Sequence, residues 1–488
     1  FGSSCSKFLE QSSQDLIRPV TVEHYKELLQ GEAYFKDFYK NGWFVDVMTD
    51  NIQAMDLGYP TTNVNFNYEF AKYAYLWGED LEAPTGTFTD KLFQTLYKNI
   101  LPANACLEVI DELEGKEAER NALKGQAYFT RAYGYFVLAN LYSQSYNEAN
   151  ENDLCVPLIL NTIPTLKGYN RASVKEVWGQ ITSDIAEAVT LLQKDHGNQS
   201  VYEINYRAAL LLATRVFLFK EDYEKVIFYG EKFMQTNPSL KDITGITVSP
   251  SRNGPGSVAK AFLFAGTNEE VLFTFSRMTN ATGEGSYQYY SSEMVGLAEV
   301  CFTPSVGGTS PLMDSYGTGD RRKTHWFAQP DGSVGSIFSQ PYYTPMKVNF
   351  YDLCRTSQSM RSAEVFLNLA EAHARKSSPE VERSLYLLNQ LRQKRIANYT
   401  NLTSGDFTNN ESLVRFVWEE RRRELCFEEF HRWWDLRRIG QPELEHHVLD
   451  KTYELKKKDP AYILNFPRDE REFNPQLIPN NRPTRNAK

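Results

Sequence analysis

Apolar residues recur at helical spacing along most of this chain. From Asn410 to Gly440 one face carries Leu413, Phe416, Val417, Glu420, Glu424, Phe427, Phe430 and Trp434, an apolar stripe with two carboxylates set into it. Asn410 or Ser412 is a candidate N-cap, Glu411 lies in the first turn, and nothing breaks the helix before Gly440. The spacing also predicts a short helix capped by Thr21, running to Gln30 and closed by Gly31. Further helices are expected from Phe88 to Leu113 with a kink at Pro102, over Glu117–Tyr142, Ser173–Gln193, Tyr206–Phe219 and Tyr223–Met234, then over Ser362–Arg375 and Ser384–Ala397.

Small residues punctuate these stripes: Ala122, Gly125, Ala127, Ala132 and Ala139 in one, Ala370 and Ala374 beside Phe366 and Leu367 in another. Helix pairs with small-for-large contact positions resemble tetratricopeptide repeats, although their spacing departs from the regular ~34-residue period. The helical pattern lapses between Asn41 and Gly86 and again between Asn237 and Asn349. In the first lapse Phe66, Tyr68 and Phe70 alternate, then Tyr73, Tyr75 and Trp77, which predicts extended chain with each trio on one side. Two roles fit such trios, a cover over the core or a wet stacking surface. The second lapse holds Gly- and Ser-rich turns, one strand at Glu270–Phe275 and clustered aromatics. Long irregular segments in a compact protein are usually functional, and insertions into helical repeats gather on one face. The expected fold is mainly α: tetratricopeptide-like helix pairs with a large, irregular, loop-rich insertion carrying short strands.

The two carboxylates in the last stripe need cationic partners if they are buried. Arg421 to Arg423, Arg432, Arg437 and Arg438 are at hand, and Asp435 stands one turn from both Arg432 and Arg438. A structural ion-pair network accounts for this pattern; an acid/base pair of Glu420 and Glu424 is the sharper alternative.

The run Glu420-Arg421-x-x-Glu424-Leu425, then Glu428, Arg432 and Asp435-Leu436-x-Arg438, resembles the C-terminal signature of the SusD/RagB family, surface-anchored nutrient-binding lipoproteins of Bacteroidetes outer membranes. Leu312-Met313-Asp314-Ser315-Tyr316 with Asp320-Arg321-Arg322 is similar to the same pattern, and Asp320 and Arg321 read as a structural pair. Arg361–Ala372 and the tail from Tyr462 through Pro467, Glu470, Asn474-Pro475, Leu477 and Asn480-Asn481 extend the resemblance along the chain. Phe466-Pro467 stands for the family's Ile-Pro, and Asn480-Asn481 for its Gln-Asn. A further departure is Glu429-Phe430, where the family usually has glycine before the bulky residue; a slightly different helix contact is expected there, on the same fold.

The resemblance implies a lipoprotein tether over residues 1–20 and one body over 21–488. In that body helix pairs span about 88–236 and 362–440, ligand-face segments about 41–86 and 237–349, and a C-terminal tail 441–488. It further implies capture of an oligosaccharide for import through a SusC-like TonB-dependent outer-membrane transporter, with the protein lipid-anchored and facing the cell exterior. Some relatives take up peptides instead. Cys5, which follows the small residues Gly2-Ser3-Ser4, reads as the lipid-bearing residue in this setting.

Composition narrows the chemistry. A net charge of -9 and a pI near 5.5 argue against nucleic acid as a partner, because phosphate contacts need a basic face. No apolar run reaches membrane-spanning length. The six cysteines form no C-x-x-C pair, and Cys106 and Cys426 fall in helical patterns as small buried hydrophobes. The seven histidines offer no metal-ligating pair one turn apart, and no nucleophile elbow or phosphate loop appears. Neither a catalytic constellation, a metal set nor a cofactor motif is therefore expected. Binding remains: sugar C–H faces pack on aromatic planes and hydroxyls want amide, carboxylate and guanidinium partners. Candidate ligand residues of that mixture are Asn67, Tyr75 and Trp77 in the first irregular segment and Tyr287, Tyr289, Tyr290 and Trp326 in the second. Two other classes stay open. A glycoside hydrolase would need two carboxyls roughly 5–9.5 Å apart in an aromatic cleft. A repeat-based intracellular scaffold would need a free concave helix surface and no role for Cys5.

Overall fold

The computed structural model describes residues 19–56, 66–82, 90–165, 167–194, 200–248, 262–263, 268–277, 300–305, 309–328, 343–345, 347 and 356–488. Cys5, Tyr287, Tyr289 and Tyr290 lie outside the described residues, and Asn67 is described in its backbone alone. Thr21 caps α1 (Val22–Leu28), its hydroxyl accepting the His24 N–H at 3.2 Å. Gly31 does not close this helix. The chain widens into π turns over Leu29–Ala33, which keeps both of those residues buried. The extended chain expected over 66–77 is also corrected: Phe66–Tyr75 is a helix, α2, followed by a turn through Trp77. Its buried residues Phe70, Ala71, Ala74 and Tyr75 keep helical spacing while Tyr73 points outward. The alternating aromatics masked the two alanines that carry the helical period.

The helical body follows: α3 (Leu92–Val109), α4 (Glu117–Tyr142), α5 (Val174–Gln193), α6 (Tyr206–Phe219), α7 (Tyr223–Met234), α8 (Ser362–Arg375) and α9 (Val381–Gln393), each packed on the next. Pro102 lies inside α3, which continues past it to Val109. Ser173 and Glu176 form a capping box at the start of α5. The small residues of α4 set its close contacts. A Cβ at Gly125 would lie 2.8 Å from Leu192, and one at Gly134 2.8 Å from Ile100. The helix expected to reach Ala397 stops at Gln393, because the chain beyond it bonds to another segment: Arg321 N–H to the Arg395 carbonyl and Ala397 N–H to the Gly319 carbonyl, each at 2.9 Å.

The long helix expected from Asn410 to Gly440 is two helices, α10 (Asn410–Leu425) and α11 (His431–Arg438). Asn409, one residue before the expected cap, accepts the Ser412 N–H at 2.9 Å. The break at 426–430 has no proline or glycine. Phe427 and Glu429 instead take left-handed backbone, with φ of 58° and 46°. Glu429 therefore occupies the conformation that the family's glycine adopts without cost.

The strands are short: β1 (Gln53–Asp56), β2 (Val271–Arg277), β3 (Val300–Thr303), β4 (Thr356–Arg361), β5 (Leu444–Val448) and β6 (Lys451–Leu455). β1 pairs antiparallel with β3, β2 with β4, and β5 with β6, while β5 also lies against β1. The architecture is thus mainly α, with short strands set into its loop-rich parts.

A lattice of buried charges joins these strands to α10. Glu424 accepts from Arg361 at 2.8 Å, Arg395 at 2.9 Å and Arg322 at 3.1 Å. Glu420 accepts from Arg392 at 2.5 Å and Arg423 at 2.7 Å and forms an ion pair with Arg322 at 2.8 Å. Glu270 and Glu428 share Arg361 with Glu424, and Lys347 closes on Glu428 at 2.5 Å. Burial alone would raise the Glu424 carboxyl, but Arg395, Arg361 and Arg322 bring it down to about 2. Both Glu420 and Glu424 are fully buried, so neither reaches a ligand, and the acid/base alternative gives way to the ion-pair network. Its cations come from β4 (Arg361), from α9 and the chain after it (Arg392 and Arg395), from the turn near 320 (Arg322) and from Lys347, while α10 itself supplies Arg423. Asp320 pairs with Arg322 at 2.7 Å, and the expected pair with Arg321 does not form. Asp435 takes Arg438 at 2.7 Å and Arg421 at 3.2 Å, leaving Arg432 to Asp50 at 2.7 Å.

Candidate functional site

A polar cleft of about 340 Å³ opens where β1 meets β5 and the turn at Thr309 and Pro311. β5 builds one wall by strict alternation: Leu444, His446 and Val448 point inward, while Glu445 and His447 stay exposed. Gln53 and Ala54 of β1 and Thr309 form the other side, and Asp50 and Ile52 lead into β1. The Asp50 carboxylate is engaged by Arg432 and Arg422. Burial would raise it, but the two guanidiniums hold it well below the usual carboxylate range. The His447 Nδ1 lies 2.9 Å from the Thr452 hydroxyl, and Lys488 reaches Glu445 at 3.6 Å.

The floor is a stack of three rings. His446 lies between Tyr75, 3.9 Å away and inclined by 7°, and Trp77, 4.1 Å away and inclined by 19°. Its Nδ1 is 2.6 Å from the Tyr75 carbonyl and its Nε2 3.2 Å from the Thr49 carbonyl. Burial pushes the imidazole down to about 4, against the two carbonyls, which raise it. The Tyr75 hydroxyl accepts the Ala54 N–H at 3.1 Å, which ties α2 to β1.

This geometry separates the expected ligand residues. Tyr75 lines the cleft, although both its ring and its hydroxyl are committed to the floor. Trp77 is fully buried and its Nε1 donates to the Met48 carbonyl at 2.9 Å, so it presents no face to a ligand. Trp326 is likewise core. Lys347 Nζ stands 4.0 Å above its ring, with Arg322 and Arg361 about it, so it caps the buried charge lattice. Sequence reasoning missed Gln53, Thr309, Glu445 and His447, which carry no motif. The alternation through Leu444–Val448 was the one available signal.

One described cluster has the ligand types of a metal site: Glu364, Glu429 and His431. Arg215 already occupies its centre, binding Glu364 at 2.6 Å and Glu429 at 2.7 Å. A guanidinium supplies the positive charge that an ion would bring.

A family model described as SusD-like, starch-binding and associating with the outer membrane matches residues 7–218. A second, SusD/RagB, described as the SusD family, matches residues 337–482. SusD-like protein P2 of Formosa agariphila is 24% identical over 422 residues, covering 79% of this chain and 78% of its own. The solved structure of a SusD superfamily protein from Bacteroides thetaiotaomicron superposes with a TM-score of 0.73 at 19% identity, over 95% of this chain and 100% of that one. A SusD-like carbohydrate binding protein from Bacteroides vulgatus does so with a TM-score of 0.69 at 20% identity, over 94% and 97%. No helix among the described residues is long and apolar enough to cross a membrane. With the two family models together spanning well over half the sequence and the same fold throughout, the chain belongs to the SusD/RagB family of outer-membrane-associated proteins.

Proposed function

We propose that the protein binds an oligosaccharide at the cleft between β1, β5 and Thr309, and presents it to a SusC-like TonB-dependent transporter from a lipid anchor at Cys5. The observation that carries this reading is the register of β1 with β3. Asp56 pairs with Val300, two residues along β1 from the cleft-lining Ala54, so the chain that follows β1 and the chain that precedes β3 join the sheet at the same end. Tyr287, Tyr289 and Tyr290 precede Val300 in the chain, and Asn67 follows Asp56. In this reading they supply aromatic faces and an amide beside the polar wall of Gln53, Thr309, Glu445 and His447. A sugar needs both kinds of surface. The carbohydrate-binding relative from Bacteroides vulgatus and the starch-binding family description favour glycan over peptide. The transporter partner rests on family membership alone.

The test is a glycan array read with the soluble body, followed by calorimetry on the best ligand. Glu445→Ala and His447→Ala, both on exposed positions, should each weaken binding by roughly tenfold with the melting temperature unchanged. Tyr289→Ala should do the same. Retention of full affinity in all three variants would reject the cleft as the site.

A further inference from the structure

A second, larger concavity lies on the helical body, far in chemistry from the polar cleft. α3 contributes Phe93, Tyr97, Ile100 and Leu101 to a groove of about 550 Å³, closed by the chain from Pro157 to Tyr169 and by the tail at Glu470–Leu477. Helices of stacked pairs bury most of their apolar stripes on each other, and here α3 leaves part of its stripe uncovered.

Several polar side chains of this groove are already engaged within it. The Tyr97 hydroxyl donates to the Pro157 carbonyl at 2.7 Å, and Asn104 donates to the Ile159 carbonyl at 2.9 Å while accepting from Arg131 at 3.1 Å. Asn474 uses both ends of its amide on the Tyr169 backbone. A hydroxyl-rich sugar would lose water here without recovering hydrogen bonds, so the groove is unsuited to glycan. Its rim continues apolar. Leu160 and Ile163 are exposed near one side, Phe473 and Ile478 near the other, and Phe473 is 88% exposed. Two titratable groups of the wall have no hydrogen-bond or ion-pair partner among the described residues: the half-buried Glu470 carboxyl and the Lys98 ammonium, which is close enough to be felt by it. Burial, with Asp469 adding to it, raises this carboxyl from its ordinary value.

We propose that this groove is a second binding site, for a polypeptide segment that seats one bulky apolar side chain against Phe93, Tyr97 and Leu101 and sets a lysine or arginine beside Glu470. The uncovered rim on both sides calls for an occupant longer than one side chain. The lone carboxylate calls for a cation next to that chain. A second copy of this protein fits less well, because a two-fold contact through this face would bring Asp469 and Glu470 towards their own counterparts. The site is independent of the glycan cleft, and neither reading depends on the other.

The probes are two dye-labelled Gly/Ser heptapeptides, one with Trp-Arg at the centre and one with Trp-Glu, titrated by fluorescence anisotropy against the full body. The Trp-Arg peptide should bind, and the Trp-Glu peptide roughly tenfold or more weakly. Glu470→Lys should reverse that order, and Leu101→Asp, at an exposed position, should remove both signals while leaving the melting temperature unchanged. Absence of binding by either peptide into the millimolar range overturns the proposal. So does binding that Leu101→Asp and Glu470→Lys leave untouched. Sedimentation velocity showing a concentration-dependent dimer that Leu101→Asp dissolves would give the face to a second copy instead.

Discussion

Replacing Glu429 by glycine sets two opposing effects against each other. Glu429 holds a left-handed backbone at φ 46°, which costs a side-chain-bearing residue about 1–2 kcal/mol and glycine almost nothing. Against that gain stands the loss of its carboxylate. The group is buried, accepts from Arg215 at 2.7 and 2.8 Å, and accepts the Tyr133 hydroxyl at 2.5 Å. Removing one member of a buried ion pair typically costs about 3–5 kcal/mol. Here the lower end applies, since Arg215 keeps Glu364 through two bonds of 2.6 Å. The net expectation is a protein less stable by about 1–2 kcal/mol, the pairing term outweighing the strain term. Urea unfolding followed by tryptophan fluorescence reads it, because Trp434 lies beside Arg215. The pH dependence checks the cause. Burial would raise the Glu429 carboxyl, but Arg215 and His431 lower it to about 2. A lowered folded value contributes stability above the unfolded value of roughly 4.3, lost as pH falls towards 2. The gap between parent and variant should therefore be full at neutral pH and close in acid. Glu429→Asn, which tolerates the backbone but lacks the charge, should fall near the glycine variant. A glycine variant as stable as the parent at neutral pH would refute this reasoning.

Three further outcomes are expected. Burial pushes the Asp90 carboxyl up to about 7, so its contribution to stability is fully present below the unfolded value of roughly 3.9 and is lost as pH rises from there through about 7; Asp90→Asn should gain on the parent steadily over that window, by about 2–4 kcal/mol between about pH 4 and pH 8, and no pH-dependent difference in urea midpoints would contradict this. Trp77→Ala and Trp326→Ala should each cost roughly 3–5 kcal/mol of folding stability, and Trp326→Ala should leave glycan affinity per folded molecule intact. Cys5→Ala in the precursor, expressed in its host, should abolish labelled-lipid incorporation and release the protein from the membrane fraction; continued membrane attachment would remove Cys5 as the anchor.

The helices show how much the sequence carries. Glu117–Tyr142, Tyr206–Phe219, Tyr223–Met234 and Ser362–Arg375 lie where their periodicity and caps place them, since both are properties of consecutive residues. Small residues at stripe positions likewise marked the close contacts of α4. Errors appear where a distant segment overrides the local preference. The end of α9 is drawn off by Gly319 and Arg321. The break between α10 and α11 is held by backbone conformations that no glycine announces, with Gln358 accepting the Glu429 N–H at 2.6 Å.

By itself, then, the sequence determined the helix pairs, the presence of a charged stripe that had to be neutralised, and the family signature. It could not assign partners. Glu424 requires cations by the cost of burying a charge, but which arginines arrive depends on β4, the chain after α9 and the turn near 320 converging on one face of α10. The same limit governed the aromatics. Trp77 and Tyr75 look alike in an alternating aromatic run, and their fate was decided by His446, 371 residues beyond Tyr75, whose ring inserts between them and takes the faces a ligand would have used. Exposure is a relation between segments, and only the tertiary structure holds that relation.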